Sequence, residues 1–236
     1  MELAASVQTM LIPARLPKND AYEFDGIYMP HSGVGGDYYD CIRLNEHEIV
    51  FCIADISGKG IPAAILMANF QANVQTLVRK HISPDKFVEL LNKAVQRITK
   101  GDKFITFFVA KYHVLERKIQ YINAGHNPPI LLTNDSITLL SEGCTILGAF
   151  DEIKQIQVGE LIVPKSSMIV CYTDGLTDLQ DENNEFFGED RFYAFAKKHS
   201  TLAPHDFNLQ LIARINEFRN TQEYNDDITM LTAKFF

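Results

Sequence analysis

The sequence lacks the features that mark several large classes of protein. No apolar run approaches the roughly 20 residues that a membrane-spanning helix needs, and no basic segment precedes an apolar one at the amino terminus. Neither secretion nor membrane insertion is therefore predicted. The four cysteines, Cys41, Cys52, Cys144 and Cys171, form no CxxC pair. We expect them to be reduced, as in a cytoplasmic protein.

Positive charge is also scarce. The chain has 22 Lys and Arg against 30 Asp and Glu, a formal charge of -8, and its longest basic run is Arg79-Lys80-His81. A nucleic acid partner is not expected from this balance. The surplus of carboxylates fits either an ordinary solvated surface or carboxylates held together by divalent cations. Only the positions of the aspartates can separate these two interpretations.

The order of apolar segments indicates one layered domain. We predict strands at residues 22–29 and 48–54 and an antiparallel meander that begins at Phe104. One pair of helices is predicted between them, at 61–80 and from Ser83. A second pair follows the meander, at 191–199 and 207–219. Strands grouped in blocks and helices grouped in pairs, rather than a strict alternation of strand and helix, predict an α+β fold. We expect a four-layer αββα sandwich of two central antiparallel sheets.

A short amphipathic helix is predicted ahead of this domain. Leu3, Val7, Met10 and Leu11 follow a helical spacing that Pro13 ends. We therefore divide the chain into an N-terminal helix, residues 1–14, and a main domain, residues 15–236. The pattern begins so abruptly at Met1 that we expect natural sequence upstream of it. The apolar stripe could pack on the core or serve as a coupling or dimerising element, and both interpretations stay open.

Aspartates recur where strongly apolar strands begin or end. They are Asp37 and Asp40 in GGDYYD, Asp55 in IADISGKG, Asp174 in VCYTDGLTD, and Asp226 with Asp227 in YNDDITML. A single aspartate beside a strand is usually a turn former or a helix cap. Their repetition instead indicates that several carboxylates converge.

Converging carboxylates repel one another unless cations lie among them. Hard oxygen ligands select Mg²⁺ or Mn²⁺, and the sequence contains no His/Cys cluster of the kind that zinc prefers. A pair of such ions can hold a phosphoryl group and activate a water molecule. Glycines beside the aspartates, such as Gly36 and Gly58, would let a phosphate approach the backbone closely, or they are ordinary turn glycines.

Other catalytic motifs are incomplete. SGKG has Ile53 and Gly60 where a P-loop needs Gly and Ser/Thr, Tyr38 replaces the last glycine of a GxGxxG motif, and no GxSxG motif is present. His126 in INAGHNPP titrates in the range that catalysis uses, but a lone turn histidine more often orients a loop. A covalent hydrolase is therefore not favoured.

The order of the motifs resembles one family. GGDYYD, ADISGKG, FITFF, NAGHNPP, YTDGLTD, FFGEDRF and NDDITML follow one another as in the SpoIIE/RsbU branch of the metal-dependent (PPM, type 2C) protein phosphatases. The resemblance covers residues 5–236. Each motif alone is weak, whereas the ordered set is specific.

The resemblance implies an αββα sandwich that hydrolyses phosphoserine or phosphothreonine directly, with a Mn²⁺ or Mg²⁺ pair; whether a third ion joins them stays open. Carried over by motif, Asp55 would bridge both ions with the Ile56 carbonyl as a further ligand, and Asp55 and Asp174 would be the catalytic aspartates. Asp174 and Asp226 would hold the first ion and Asp37 the second. Asp227 is a weaker candidate for a metal ligand.

Two positions depart from the family pattern. Ser57 stands where the wider type 2C family has a histidine that can protonate the leaving group, so the general acid is unassigned. Asp178 stands where the branch often has glutamate, a change that does not imply loss of activity.

The resemblance also implies partners. Substrates in this branch are typically phosphorylated STAS-domain proteins of partner-switching pathways, and an upstream sensor or regulator often acts through the N-terminal helix, in some cases as a homodimer. Two alternatives remain. One is a catalytically silent phosphoprotein-binding or scaffolding module, and the other is a two-metal hydrolase of small phosphoesters or nucleotides.

Overall fold

The computed structural model describes residues 2–80, 82–133 and 136–236. The strands in chain order are β1 Tyr22–Met29, β2 Tyr38–Arg43, β3 Glu48–Ile56, β4 Ile105–His113, β5 Lys118–Ala124, β6 Ile130–Leu132, β7 Ile137–Leu139, β8 Gly143–Cys144, β9 Gly159–Ile162, β10 Ser167–Tyr172 and β11 Ile228–Phe235. The helices are α1 Glu2–Thr9, α2 Gly60–Leu77, α3 Pro84–Thr99, α4 Asp174–Thr177, α5 Gly188–His199 and α6 Pro204–Arg219, with a 3₁₀ turn at Val78–Lys80. None of the helices described is long and apolar enough to cross a bilayer.

The strands form two sheets. The first sheet has the order β1-β11-β10-β6-β7, and the second has the order β2-β3-β4-β5-β8, with β9 also paired to β5. All pairs are antiparallel except β5–β8, a short parallel pair that the prediction of purely antiparallel sheets did not include.

The prediction of one continuous meander from Phe104 was wrong. The chain leaves the second sheet after β5 to form β6 and β7 in the first, returns for β8 and β9, and crosses again to β10. Apolar strands buried on both faces look alike in sequence, so the pattern shows that strands exist but not which sheet they join.

Aromatic side chains fill the space between the sheets. Phe24 of the first sheet lies 5.4 Å from Phe51 of the second, and Tyr112 lies 4.7 Å from Phe235, measured between ring centroids. The buried apolar faces of α2 and α3 cover the second sheet, and α5 and α6 cover the first. The predicted four-layer αββα sandwich is confirmed.

The predicted helices are present with shifted ends. α2 stops at Leu77 and continues as the 3₁₀ turn, whereas we predicted a helix through Lys80. α3 begins at Pro84 as predicted, and α5 and α6 each begin three residues earlier than predicted. Helix ends depend on local capping, which periodicity does not report.

The contact between α2 and the second sheet gives a stability test. Phe107 is fully buried and its ring lies 5.1 Å from that of Phe70 on α2, so Phe107→Ala removes packing from two layers at once. We expect a loss of about 3–5 kcal/mol in the free energy of unfolding, measured by urea denaturation. Phe150→Ala, at a ring that is 54% exposed, is the matched control and should change it by less than about 1 kcal/mol. Equal losses in both variants would contradict this packing.

Candidate metal centre

Antiparallel pairing places the predicted aspartates in two pairs. Asp37 directly precedes β2 and Asp55 lies near the end of β3, and the ends of these strands adjoin because Tyr38 pairs with Ala54. Asp174 follows β10 and Asp226 lies just before β11, where Tyr172 pairs with Met230. Each sheet therefore contributes two aspartates to one end of the sandwich.

Asp37 is the most deeply buried of the four. Its carboxylate is 2% exposed and accepts a hydrogen bond of 2.8 Å from the Thr173 hydroxyl, which in turn accepts one from the Thr229 backbone N–H. Burial raises the pKa of Asp37 well above its usual value, and the charge of Asp55 raises it further. Thr173, which directly follows β10, thus holds the Asp37 carboxylate next to the second sheet, and Thr229 of β11 holds Thr173.

Asp55 and Asp174 repel their neighbours. Burial raises the pKa of Asp55 to about 7, and the charges of Asp174 and Asp226 add to the effect. Burial also raises the pKa of Asp174, with Asp178 and Asp226 as the charged neighbours that contribute. Carboxylates from both sheets therefore interact electrostatically, and a cation among them would relieve the repulsion.

Asp226 has a positive partner. The Lys59 ammonium lies 2.8 Å from Asp226 Oδ2 and donates a hydrogen bond of 2.6 Å to the Asn225 carbonyl. Asp226 Oδ1 accepts the Asp227 backbone N–H at 2.9 Å. The pocket around this contact is lined by Lys59, Asp174, Gly175, Asp178, Gln180, Phe186, Asn225 and Asp226.

Asp227 fixes the loop that carries Asp37. Its two carboxylate oxygens accept the backbone N–H groups of His31 and Gly36, each at 2.7 Å. The loop leaves no room for a side chain at Gly35, where an added Cβ would lie 2.2 Å from Asp227 Oδ2. This arrangement favours a positioning role for Asp227, although the sequence also made it a candidate ligand.

The donor groups fit a hard divalent cation. The backbone carbonyl of Ile56 faces Gly36, where an added Cβ would lie only 2.8 Å from the carbonyl oxygen. Within the described ranges no three His, Cys, Asp or Glu side chains form a ready metal cage. Mg²⁺ commonly binds one or two carboxylates and completes its shell with water and phosphate, so such a cage is not required.

Two candidates from the sequence lie outside this arrangement. Asp40 is buried within β2 and accepts hydrogen bonds from Tyr38 and Gln75, which is a structural role. His126 is buried, its Nδ1 lies 2.8 Å from the Thr106 hydroxyl, and Thr106 pairs with Asp55 across β3 and β4. Burial lowers the pKa of His126 to about 4. The imidazole is therefore neutral at neutral pH and lacks the second, acidic proton that a general acid would donate.

Sequence reasoning missed two residues of the site, Thr173 and Lys59. Thr173 lies immediately before Asp174 in YTDG, and Lys59 lies in ADISGKG, where a role was predicted for Asp55 and the glycines but none for the lysine. Both contacts join residues more than 130 positions apart in the chain. The sequence did contain one signal for them. Buried polar groups need hydrogen-bond partners, so a polar residue next to a predicted site aspartate is a candidate partner for another aspartate of the site.

The raised pKa of Asp55 predicts a pH-dependent stability. The folded protein holds a proton there up to about pH 7, whereas the unfolded chain releases it near pH 4, so stability from this group is lost as the pH rises between these values. In EDTA at pH 7.5, Asp55→Asn should melt roughly 2–8 °C above the wild type, and the difference should shrink toward pH 5. Asp20→Asn, at an exposed turn, is the control. An Asp55→Asn protein that melts below the wild type at pH 7.5 would contradict the repulsion.

Comparison with known proteins places the chain among phosphatases. The family model Stage II sporulation protein E (SpoIIE) matches residues 45–236. The chain is 27% identical over 236 residues to phosphoserine phosphatase RsbU of Bacillus subtilis, covering 99% of this chain and 69% of RsbU. It is 27% identical over 184 residues to phosphoserine phosphatase RsbP of the same organism, covering 75% of this chain but only 45% of RsbP.

Solved structures share the fold. The SiaA-PP2C domain of Pseudomonas aeruginosa superimposes with a TM-score of 0.88 at 18% identity, covering 100% of this chain and 95% of that domain. RsbX, crystallised in complex with magnesium, superimposes with a TM-score of 0.66 at 17% identity, covering 94% and 99% of the two chains. The SpoIIE model covers most of the present sequence, and the fold agrees with it. The chain therefore belongs to the SpoIIE family, in the SpoIIE/RsbU branch of the type 2C (PPM) protein serine phosphatases.

Proposed function

We propose that this chain is an active, metal-dependent phosphatase that hydrolyses phosphoserine or phosphothreonine on a signalling protein. The observation that carries the proposal is the convergence of four aspartates from two sheets at one end of the sandwich. Three of them, Asp37, Asp55 and Asp174, have a raised pKa there because they are buried near one another. Perturbed carboxylates that face a pocket are typical of functional sites.

The proposed cofactor is a pair of Mn²⁺ or Mg²⁺ ions. When bound, such a pair supplies Lewis-acid activation of a phosphoryl oxygen and of water. Asp55, which interacts with carboxylates from both sheets, would be shared by the two ions. Asp174 and Asp226 would hold the first ion, and Asp37 with the Ile56 carbonyl would complete the set. RsbX, which shares the fold, was crystallised with magnesium.

The surrounding residues would keep these ligands in place. The Thr173 hydroxyl donates a hydrogen bond of 2.8 Å to Asp37 Oδ2 and so holds this carboxylate in place. Asp227 holds the loop before Asp37 through two backbone hydrogen bonds. We therefore propose that Asp227 acts on the metals through this loop rather than as a ligand. The general acid stays unassigned, because Ser57 occupies the family histidine position and its hydroxyl accepts the Phe104 N–H.

We propose a phosphorylated STAS-domain protein of a partner-switching pathway as the substrate. The family resemblance supports this class, and RsbU and RsbP are both named phosphoserine phosphatases. The chain spans 69% of RsbU and 45% of RsbP, so their further regions have no counterpart in the match.

A silent binding module is the second candidate function. It would keep the fold but lose the metal ligands, whereas all four aspartate motifs are present here. A hydrolase of small phosphoesters would share the metal chemistry and differ in its preferred substrate. Both alternatives are separated from the main proposal by the same assay.

The assay uses p-nitrophenyl phosphate first and a Ser-phosphorylated STAS-domain protein second, with Mn²⁺ or EDTA. We expect hydrolysis that requires Mn²⁺, with kcat/KM for the phosphoprotein well above that for the small ester. Asp55→Asn and Asp174→Asn should each lower kcat by about 100-fold or more, since each removes a charged group that acts on the reacting phosphate through the metals.

Asp20→Asn is the matched control for this assay and should hydrolyse both substrates like the wild type. A folded wild type that is silent on both substrates with millimolar Mn²⁺ would favour the binding module. A preference for the small ester would favour the third interpretation.

We further propose that α1, within the N-terminal segment 1–14, couples a regulator to the site. The Gln8 side chain is 5% exposed and clamps Gly35, donating to its carbonyl at 2.6 Å and accepting its N–H at 3.0 Å. Gly35 lies two residues before Asp37. Val7 on the same helix and Met10 just after it are 52% and 79% exposed, which leaves an apolar surface for an upstream sensor or a second copy of the chain.

Gln8→Ala tests this coupling. The change leaves two buried backbone groups of Gly35 without their partners, so we expect Mn²⁺ affinity and kcat/KM each to fall roughly threefold to tenfold. Thr9→Ala is the control, because the Thr9 hydroxyl bonds only the Ala5 carbonyl within α1. If Gln8→Ala and Thr9→Ala bind Mn²⁺ and turn over substrate like the wild type, α1 is not coupled to the site.

A further inference from the structure

Lys59 brings a positive charge into an acidic pocket. Among the described residues that line this pocket, Lys59 is the one cationic side chain, and Asp174, Asp178 and Asp226 are the carboxylates. Its position is defined by its contacts with the Asn225 carbonyl and with Asp226. The family pattern assigned no role to this lysine.

The ammonium of Lys59 has capacity for another ligand. A lysine ammonium has three donors, and two of them are used by the Asn225 carbonyl at 2.6 Å and by Asp226 Oδ2 at 2.8 Å. The side chain is 54% exposed, so the third donor can be reached from the pocket. A half-exposed ion pair of this kind adds little to stability, which makes a purely structural role a weak explanation.

The backbone around Lys59 holds the residue at the pocket wall. Gly58 and Gly60, on either side, have φ angles of +101° and +70°, a conformation that side-chain-bearing residues rarely adopt. Lys59 is itself the N-cap of α2, and the first turn of this helix carries no acidic residue. The amino-terminal end of α2, where free backbone N–H groups favour an anion, therefore begins directly after Lys59 and carries no acidic side chain of its own.

A phosphate that enters this pocket meets three carboxylates. A phosphoserine carries a charge of about -1.5 to -2 at neutral pH, so each uncompensated carboxylate repels it. Ions bound by Asp174 and Asp226 would offset part of that repulsion, but Asp178 lies in the same pocket. A cation fixed by the protein would attract the phosphate and orient one of its oxygens.

We propose that Lys59 is the phosphate-binding cation of this site, whose third ammonium donor bonds a non-bridging oxygen of the substrate phosphate. This inference rests on the proposed phosphatase function and deepens it. Asp226 would then have two roles: it holds a metal ion with one side and holds the lysine over the pocket with the other.

The test compares Lys59→Gln, Lys59→Arg and Lys103→Gln with the wild type. Lys103 is the matched control, since its ammonium lies beside Gly58 but the residue does not line the pocket. Two quantities are measured: the dissociation constant of inorganic phosphate, by ³¹P NMR titration of the Mg²⁺-loaded protein, and the Mg²⁺ affinity by calorimetry. Hydrolysis of p-nitrophenyl phosphate gives kcat and KM.

We expect Lys59→Gln to weaken phosphate binding and raise KM roughly fivefold to tenfold, the cost of one charge-assisted hydrogen bond at a half-exposed site. Lys59→Arg should restore most of the loss, and Lys103→Gln should bind phosphate like the wild type. Mg²⁺ affinity in Lys59→Gln should stay equal to or above that of the wild type, because a positive neighbour of Asp226 has been removed.

Several outcomes overturn the inference. If the wild type hydrolyses substrate and Lys59→Gln binds phosphate equally well, Lys59 does not recognise phosphate. A change in Mg²⁺ affinity alone would mean that the lysine only neutralises Asp226. A wild type that binds Mg²⁺ but neither binds phosphate nor hydrolyses ester would overturn the proposed function as well.

Discussion

Antiparallel pairing forces like charges together at one end of this protein. The start of β2 adjoins the end of β3, and the start of β11 adjoins the end of β10, so Asp37 and Asp55 meet Asp174 and Asp226 where the two sheets stack. Their repulsion opposes folding, and burial strengthens it. The aromatic core between the sheets must hold these ends in place regardless. The clustered aspartates thus destabilise the folded protein, and the packing of the surrounding layers offsets this loss.

Much of this arrangement could be predicted from the sequence. The αββα layers follow from apolar blocks flanked by helix pairs, and the candidate aspartates follow from their position beside strands. The assignment of strands to sheets could not be predicted, because β6 and β10 of the first sheet are buried on both faces, as is the middle of β4 in the second. Only three-dimensional pairing shows that the chain crosses repeatedly between the sheets.

The hydrogen-bond and ion-pair partners of the site residues could not be predicted from the sequence either. Thr173 bonds Asp37, and Lys59 bonds Asp226, in each case across more than 130 residues of chain. Asp37 and Asp40 belong to one motif, yet the Asp40 carboxylate accepts hydrogen bonds from Tyr38 and Gln75 and not from residues of the site. A three-residue step along the chain thus separates a site residue from a core residue, and only the contacts distinguish them.

Anomalous diffraction from crystals soaked in Mn²⁺ tests the central claim most directly, since it locates the ions without reference to turnover. We expect manganese peaks at the end of the sandwich, within bonding distance of Asp55 and of at least two among Asp37, Asp174 and Asp226, with the Asp227 carboxylate still bonded to the His31 and Gly36 backbone. No peak among these aspartates at millimolar Mn²⁺, or peaks confined to other carboxylates of the surface, would contradict a metal centre built by the two sheets.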